Sequence, residues 1–135
     1  MHSFETTLET PPTKVRTRYT VSLCSALPAS GDSAKEDTCP EGTRVCVVST
    51  NIKPGQDDRV ISVVPVAGEI GHGELDPRVS TVDGGKGKAE ELVIELHGGQ
   101  YVDKEQRARI SLICDKEAKD VRQRGTASAS LHMLT

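Results

Sequence analysis

Residues 90–117 read EELVIELHGGQYVDKEQRARISLICDKE and show the clearest secondary-structure pattern in the chain. Apolar and polar side chains alternate in two runs, 91–96 and 109–114, and several of the apolar positions are β-branched. A period of two with such residues is typical of half-buried strands. The intervening His-Gly-Gly-Gln at 97–100 predicts a turn, because glycine accepts backbone angles that other residues resist. The stretch therefore predicts two consecutive β-strands.

The same alternation recurs in earlier segments. We predict strands at 18–24, 43–50 and 59–67, with a short further strand at 79–82. Pro65 has no amide hydrogen to donate, so its strand is expected to end there, to bulge or to lie at a sheet edge. Turn-forming residues follow each strand, and no window shows a helical period. The sequence thus predicts an all-β fold, a flattened β-barrel or two packed antiparallel sheets.

The length of 135 residues suits one domain. We expect residues 14–117 to form it. Residues 1–13 are polar and end in two prolines, so they predict an extended lead-in. Residues 118–135 lose the alternation and become low in complexity, so they predict a disordered tail.

Composition and charge argue against several classes of protein. The net charge is −3 with both signs interspersed, so the basic stripe of a nucleic-acid binder is missing. No apolar run approaches the length of about 20 residues that spans a bilayer. The first residues also lack the basic and apolar regions of a signal peptide. Aromatic residues make up only 2% of the chain, so its core must rely on Val, Ile and Leu.

The chain has four cysteines, Cys24, Cys39, Cys46 and Cys114, and sequence alone leaves all three pairings of four cysteines open. The spacing of Cys39 and Cys46, with Pro and Gly between them, suits a short disulfide-closed turn and not a zinc site. Buried free thiols are the alternative. A disulfide implies an oxidising compartment, which conflicts with the missing leader.

Other residues that could carry chemistry do not form recognisable sites. The segment GGKGK at 84–88 lacks the spacing of a phosphate-binding loop and predicts a flexible hairpin loop. The histidines are scattered, so we expect no metal and no cofactor. No nucleophile or acid–base pair stands in a catalytic pattern, so we do not expect an enzyme.

Three motifs carry a family resemblance. GGQYVDKEQRARISLIC resembles the strand-turn-strand segment of the mannose-6-phosphate receptor homology (MRH) domain. ETPPTKVRTRYTVSLC at 9–24 and CPEGTRVC at 39–46 resemble the lumenal domain of the fungal autophagy-related protein 27 family. The motifs follow the family's order and approximate spacing from about residue 10 to 117. The resemblance implies a partial MRH-like β domain, incomplete at both ends, with residues 118–135 outside it.

The resemblance also implies a function. Members of this family are single-span membrane proteins that cycle among Golgi, endosomal and vacuolar membranes and the preautophagosomal structure. The chain is then a non-catalytic lumenal domain in membrane trafficking for autophagy, with protein or lipid partners. A membrane anchor is expected elsewhere in the full-length protein. The alternatives are a lectin for mannose-type glycans in the secretory pathway, an enzyme, or a non-functional product of a wrong gene model.

Particular residues follow from the same resemblance. Arg107 matches an arginine that binds mannose hydroxyls in sugar-binding relatives, whereas the glutamine of that site falls near Cys46 and is absent. A solvated strand charge is the alternative for Arg107. The family partners of Cys24 and Cys114 lie outside this sequence, so both are predicted to be orphans, with a direct bridge between them as the alternative.

Overall fold

The computed structural model describes residues 1–28, 37–83, 90–115 and 126–134. These residues form an all-β fold, which confirms the predicted fold class. The described strands are β1 (His2–Thr10), β2 (Thr13–Val21), β3 (Thr43–Ile52), β4 (Arg59–Gly68), β5 (Arg78–Val82), β6 (Glu91–Tyr101), β7 (Lys104–Asp115) and β8 (Thr126–Leu134).

The strands form one antiparallel sheet in the order β1-β2-β3-β4-β6-β7-β8, and β5 pairs with β6 beside this path. The sheet curls into a half-barrel, as expected for an incomplete flattened barrel. Its narrowest seam joins β4 to β6 through one pair, Ala67 and Gly98. A side chain at Gly98 would meet the backbone of Gly68 and Glu74, and one at Gly99 would meet Pro65 and Val66. Glycine is therefore required here by close backbone approach.

The hydrophobic core lies where the two halves of the sheet meet at this seam. It is small and its buried members are aliphatic, as the low aromatic content predicted. Its buried members are Val45, Val47, Val66, Ala67, Leu96, Ala108 and Ile110. Tyr19, Val21, Val64, Leu75, Ile94 and Leu112 pack around them.

Two terminal predictions differ from the structure. The lead-in predicted at 1–13 contains β1, which pairs with β2 along its whole length. The disordered tail predicted at 118–135 contains β8, which pairs with β7. In both segments, threonine, serine and alanine fill many of the positions where Val, Ile or Leu would indicate a strand, so the sequence carries little apolar signal there.

The turn predicted at 97–100 is also corrected. The hairpin between β6 and β7 turns at Val102 and Asp103, whose φ angles of 49° and 61° lie in the left-handed region. Gly98 and Gly99 stay inside β6, at a register shift next to β4. Pro65 stands in β4 between β3 and β6, within a run of register shifts, so the bulge is the one of its three expected placements that occurs.

Candidate functional site

A cleft of about 960 Å³, lined by both polar and apolar surface, opens beside the seam between β4 and β6. One wall is the segment 70–76, which connects β4 to β5. The other wall comes from 97–100 on β6 and 105–107 on β7. The close approach of glycine backbones at the seam thus places a loop and two strand ends around one opening.

The loop wall is held against β6 by backbone and side-chain contacts. The His97 amide donates to the Leu75 carbonyl at 2.8 Å, and the ring Nδ1 lies 3.0 Å from the Asp76 carbonyl oxygen. Leu75 packs against the hydrophobic core. Asp76 has a φ of 36°, and its carboxylate accepts from Nε and Nη2 of Arg78 at 3.2 and 3.0 Å. These contacts fix the position of the wall relative to the strands.

Glu95 connects the two strands that form the opposite wall. Its Oε1 lies 3.6 Å from Nη1 of Arg107 and 3.7 Å from Nε2 of His97. Because a carbonyl oxygen only accepts, Nδ1 of His97 carries the proton in its contact with Asp76. The Nε2 atom then faces the Glu95 carboxylate. In this tautomer Nε2 has no proton to donate, so the Glu95 carboxylate pairs with the Arg107 guanidinium and only borders the imidazole at the edge of the cleft.

The structure places Arg107 on β7, half-exposed and lining the cleft. Gln100, Glu105 and Gln106 line the same opening. Gln106 is 7% exposed and donates from Nε2 to the Lys104 carbonyl at 3.4 Å. The Arg107 guanidinium, the Gln100 amide and the Glu105 carboxylate share the exposed face of this hairpin, whereas the buried Gln106 side chain lies on the opposite face. The exposed groups offer planar donors and acceptors suited to a neutral polar ligand.

Sequence reasoning singled out Arg107 and missed the residues around it. The signal for Gln100, Glu105 and Gln106 was the hairpin itself, because Gln100 pairs with Glu105 and Gly99 with Gln106 across β6 and β7. That register depends on the position of the turn, which the sequence analysis placed at 97–100 because of the two glycines there. The role of Arg107 as a ligand contact remains a prediction.

The cysteines lie away from the cleft residues in sequence. Cys39 and Cys46 form a disulfide with their Cα atoms 6.1 Å apart. It encloses a turn at the start of β3, where Oγ1 of Thr43 donates to the Pro40 carbonyl at 2.6 Å. Cys24 carries an exposed free thiol. The Cys114 side chain lies outside the described residues, so its pairing remains a prediction.

Three other expectations from the sequence concern the loop at 84–88, metal binding and membrane spans. The loop at 84–88 lies outside the described residues. Within 1–28, 37–83, 90–115 and 126–134, no group of three His, Cys, Asp or Glu side chains could hold a metal ion. No helix in the described part of the chain is long and apolar enough to cross a membrane.

The fold and the site define a small antiparallel β domain with an open cleft and a disulfide-closed turn. The family model of autophagy-related protein 27 matches residues 1–133. The chain therefore belongs to the autophagy-related protein 27 family. The match runs beyond both limits of the motif-based resemblance, which stopped near residues 10 and 117, and it includes most of the segment 118–135.

Two curated relatives support the same assignment. The chain is 33% identical over 123 residues to autophagy-related protein 27 of Gibberella zeae, covering 78% of the chain and 35% of that protein. It is 32% identical over 108 residues to autophagy-related protein 27 of Arthroderma benhamiae, covering 75% of the chain and 33% of that protein. The chain thus spans about a third of the length of the curated relatives it matches. No solved structure matches it significantly.

Proposed function

We propose that this chain is a lumenal, non-catalytic domain of a membrane-trafficking protein that acts in autophagy. The observation that carries the proposal is the family match over 1–133, together with relatives that bear the name autophagy-related protein 27. The protein cycles between Golgi, endosomal or vacuolar membranes and the site of autophagosome assembly. Its partners there are trafficking proteins or lipids.

The disulfide between Cys39 and Cys46 supports the lumenal side of the membrane. Disulfides persist in oxidising compartments and are rare where thiols are kept reduced. A turn closed this way keeps its shape in the lumen of the secretory pathway.

Protease protection tests the lumenal orientation. An epitope inserted at 53–58, an exposed turn between β3 and β4, labels this domain in the full-length protein. In sealed vesicles from fungal cells, we expect protease to spare the epitope until detergent opens the membrane. A cytosol-facing tag on a second membrane protein serves as the matched control. Digestion of both tags without detergent would contradict the proposed orientation.

Genetic replacement tests the autophagic role. Cells that lack the full-length protein are expected to show reduced delivery of autophagic cargo to the vacuole, and the restored protein should recover it. Fluorescent full-length protein should move between Golgi or endosomal markers and the autophagosome assembly site. Normal cargo delivery in the deletion strain would contradict the trafficking role without bearing on the fold.

A second candidate function is recognition of mannose-type glycans in the secretory pathway. It is favoured by the position of Arg107 in the cleft beside Gln100, Glu105 and Gln106. Planar amide and guanidinium groups pair well with adjacent sugar hydroxyls. Loss of one charged hydrogen-bonding partner is expected to weaken binding by about 10- to 100-fold.

Glycan binding by the Arg107→Ala variant tests this second function. Arg109→Ala is the matched control, because Arg109 stands on the same strand and does not line the cleft. We expect Arg107→Ala to lose binding and Arg109→Ala to keep it. Absence of glycan binding by the unaltered chain would exclude the lectin function.

A further inference from the structure

Arg107 lines the cleft with a compensating charge beside it. Its Nη1 lies 3.6 Å from Oε1 of Glu95, and the two side chains are 49% and 32% exposed. A pair as exposed as this contributes little to the free energy of unfolding. Its consequence is local, because the guanidinium presents its positive charge to a ligand next to a negative one.

The contact with Glu95 leaves the hydrogen-bond donors of Arg107 free. A separation of 3.6 Å is too long for a hydrogen bond, so the attraction is electrostatic. Within the described ranges, the Arg107 guanidinium donates no hydrogen bond to any other residue. It therefore offers planar N–H donors to a ligand while its charge is balanced.

Glu95 compensates the arginine in the cleft and not the arginines directly opposite it in the sheet. Its register partner on β7 is Arg109, and its register partner on β5 is Arg78. Arg78 pairs with Asp76 instead, and Arg109 has no ion pair in the described part of the chain. The Glu95 carboxylate lies diagonally across the strand pair beside Arg107, the arginine that lines the cleft.

His97 does not compete for this carboxylate. Its Nδ1 donates to the Asp76 carbonyl oxygen at 3.0 Å, so Nε2 of the neutral imidazole has no proton. The approach of Nε2 to Oε1 of Glu95 at 3.7 Å is therefore not an ion pair. The Glu95 charge is left to Arg107.

The other charged groups around the opening add negative charge. Glu74 on the loop wall and Glu105 on the strand wall line the cleft. Neither carboxylate has an ion pair or a hydrogen bond among the described residues. Asp76 also lines the cleft, but Arg78 neutralises it at 3.0 Å. The described residues thus leave the opening with more negative than positive charge.

We infer that the Glu95–Arg107 pair makes the cleft selective for uncharged glycans and against anionic ones. The inference rests on the glycan-binding function proposed above and adds its specificity determinant, Glu95. A hydroxyl-rich sugar accepts hydrogen bonds from the guanidinium without meeting a like charge. A phosphate monoester carries a charge of about −1.5 to −2 at neutral pH, so the carboxylates of Glu95, Glu74 and Glu105 repel it.

Paired binding measurements test this specificity. The probes are a neutral oligomannose glycan and the same glycan with one phosphate monoester, each titrated into the full 135-residue chain. We expect the neutral glycan to bind at least about tenfold more tightly. Glu95→Gln removes the compensating charge and keeps the size of the side chain. The phosphorylated glycan should then gain at least about tenfold in affinity, whereas the neutral glycan should change by less than about threefold. High ionic strength should remove most of the gain.

Glu91→Gln is the matched control, because Glu91 also stands on β6, does not line the cleft and changes the net charge by the same amount. It should leave both affinities unchanged. When Glu95→Gln is combined with Arg107→Met, the gain for the phosphorylated glycan should disappear, since it depends on the freed guanidinium. A purely structural role of Glu95 would instead weaken the binding of both glycans. Thermal unfolding checks that each variant is folded.

The outcomes separate this inference from the function on which it rests. Equal affinity of the unaltered chain for the two glycans would overturn the inference and leave glycan binding intact. The same holds if Glu95→Gln gives no gain, or if Glu91→Gln gives an equal one. If the unaltered chain binds neither glycan, the lectin function and the inference fail together.

Discussion

The β1–β2 and β6–β7 hairpins have the same construction and different surroundings. Each joins two long antiparallel strands through a two-residue turn, at 11–12 in the first and 102–103 in the second. Residues 2–9 of β1 are all exposed. The second hairpin instead supplies Leu96, Ala108 and Ile110 to the buried core. One hairpin extends the sheet, and the other stabilises it.

This difference shows what backbone pairing alone contributes. A hairpin in isolation is marginally stable in water, so burial decides which one carries the free energy of unfolding. In the first hairpin only Tyr19 and Val21 of β2 reach the rim of the core. Its other side-chain contacts include the hydrogen bonds between Thr10 and Thr13, exposed ion pairs, and the stacked rings of Phe4 and Tyr19, whose centroids are 4.7 Å apart. Such contacts contribute about 1 kcal/mol or less each. The first hairpin is therefore suited to surface contacts and the second to the core and the cleft.

The largest effect should come from truncating a buried side chain in the β6–β7 hairpin. Ile110→Ala is expected to lower the free energy of unfolding by about 3 kcal/mol, because Ile110 is 4% exposed and its removal leaves a cavity. Ile113→Ala, on the same strand but 40% exposed, is the matched control and should cost less than about 1 kcal/mol. Urea unfolding measures both. Equal losses at the two positions would mean that β7 does not carry the core.

The seam beside the cleft should be nearly as sensitive. Gly99→Ala introduces a methyl group against the carbonyl oxygens of Pro65 and Val66, so we expect a loss of about 2 kcal/mol from forced backbone shifts. Gly55→Ala is the control, because nothing lies within 4 Å of an added carbon there and only its φ of 77° opposes the change. A smaller loss at Gly99 than at Gly55 in thermal unfolding would contradict close approach at the seam.

A substitution in the turn of the β6–β7 hairpin should stabilise the fold. Val102 is β-branched, 74% exposed and held at a φ of 49°, a conformation that asparagine tolerates far better. Val102→Asn is therefore expected to raise the free energy of unfolding by about 1 kcal/mol. Val79→Asn is the control, because Val79 is also exposed but lies within strand β5, and this substitution should not raise the free energy of unfolding. Stabilisation at Val79 but not at Val102 would argue against a left-handed turn residue.

The smallest effect should come from breaking an ion pair in the β1–β2 hairpin. Arg18→Met removes the ion pair with Glu5 but keeps the aliphatic stem, so we expect a change of less than about 0.5 kcal/mol. A denaturation midpoint within error of the unaltered chain checks this. A loss as large as that of Ile110→Ala would show that the surface pairs of β1–β2 hold the fold together.

The same comparison explains how far sequence could predict the fold. Runs rich in Val, Ile and Leu identified β3, β4 and β7, because burial on at least one face requires apolar residues at alternate positions. β1 and β8 were missed, because strands filled with Thr, Ser and Ala carry little apolar signal. The glycines at 98 and 99 were assigned to a turn, whereas their role is close approach to β4. Local sequence does not show which distant backbone lies opposite a glycine.

The candidate site was less predictable than the fold. Arg107 was found through a resemblance, but its neighbours in the cleft come from three separate segments of the chain. The contact of His97 with the loop at Asp76 depends on tertiary structure alone. Cys39 and Cys46 were the exception, because their short spacing and turn residues carry the signal locally.

Hydrogen exchange of the full chain, followed strand by strand, tests this account most directly. We predict that β6 and β7 amides exchange slowly, since these strands supply residues to the core. The β1 amides should exchange much faster, because the side chains of residues 2–9 are all exposed. Protection of β1 equal to that of β7 would contradict the division between the two hairpins.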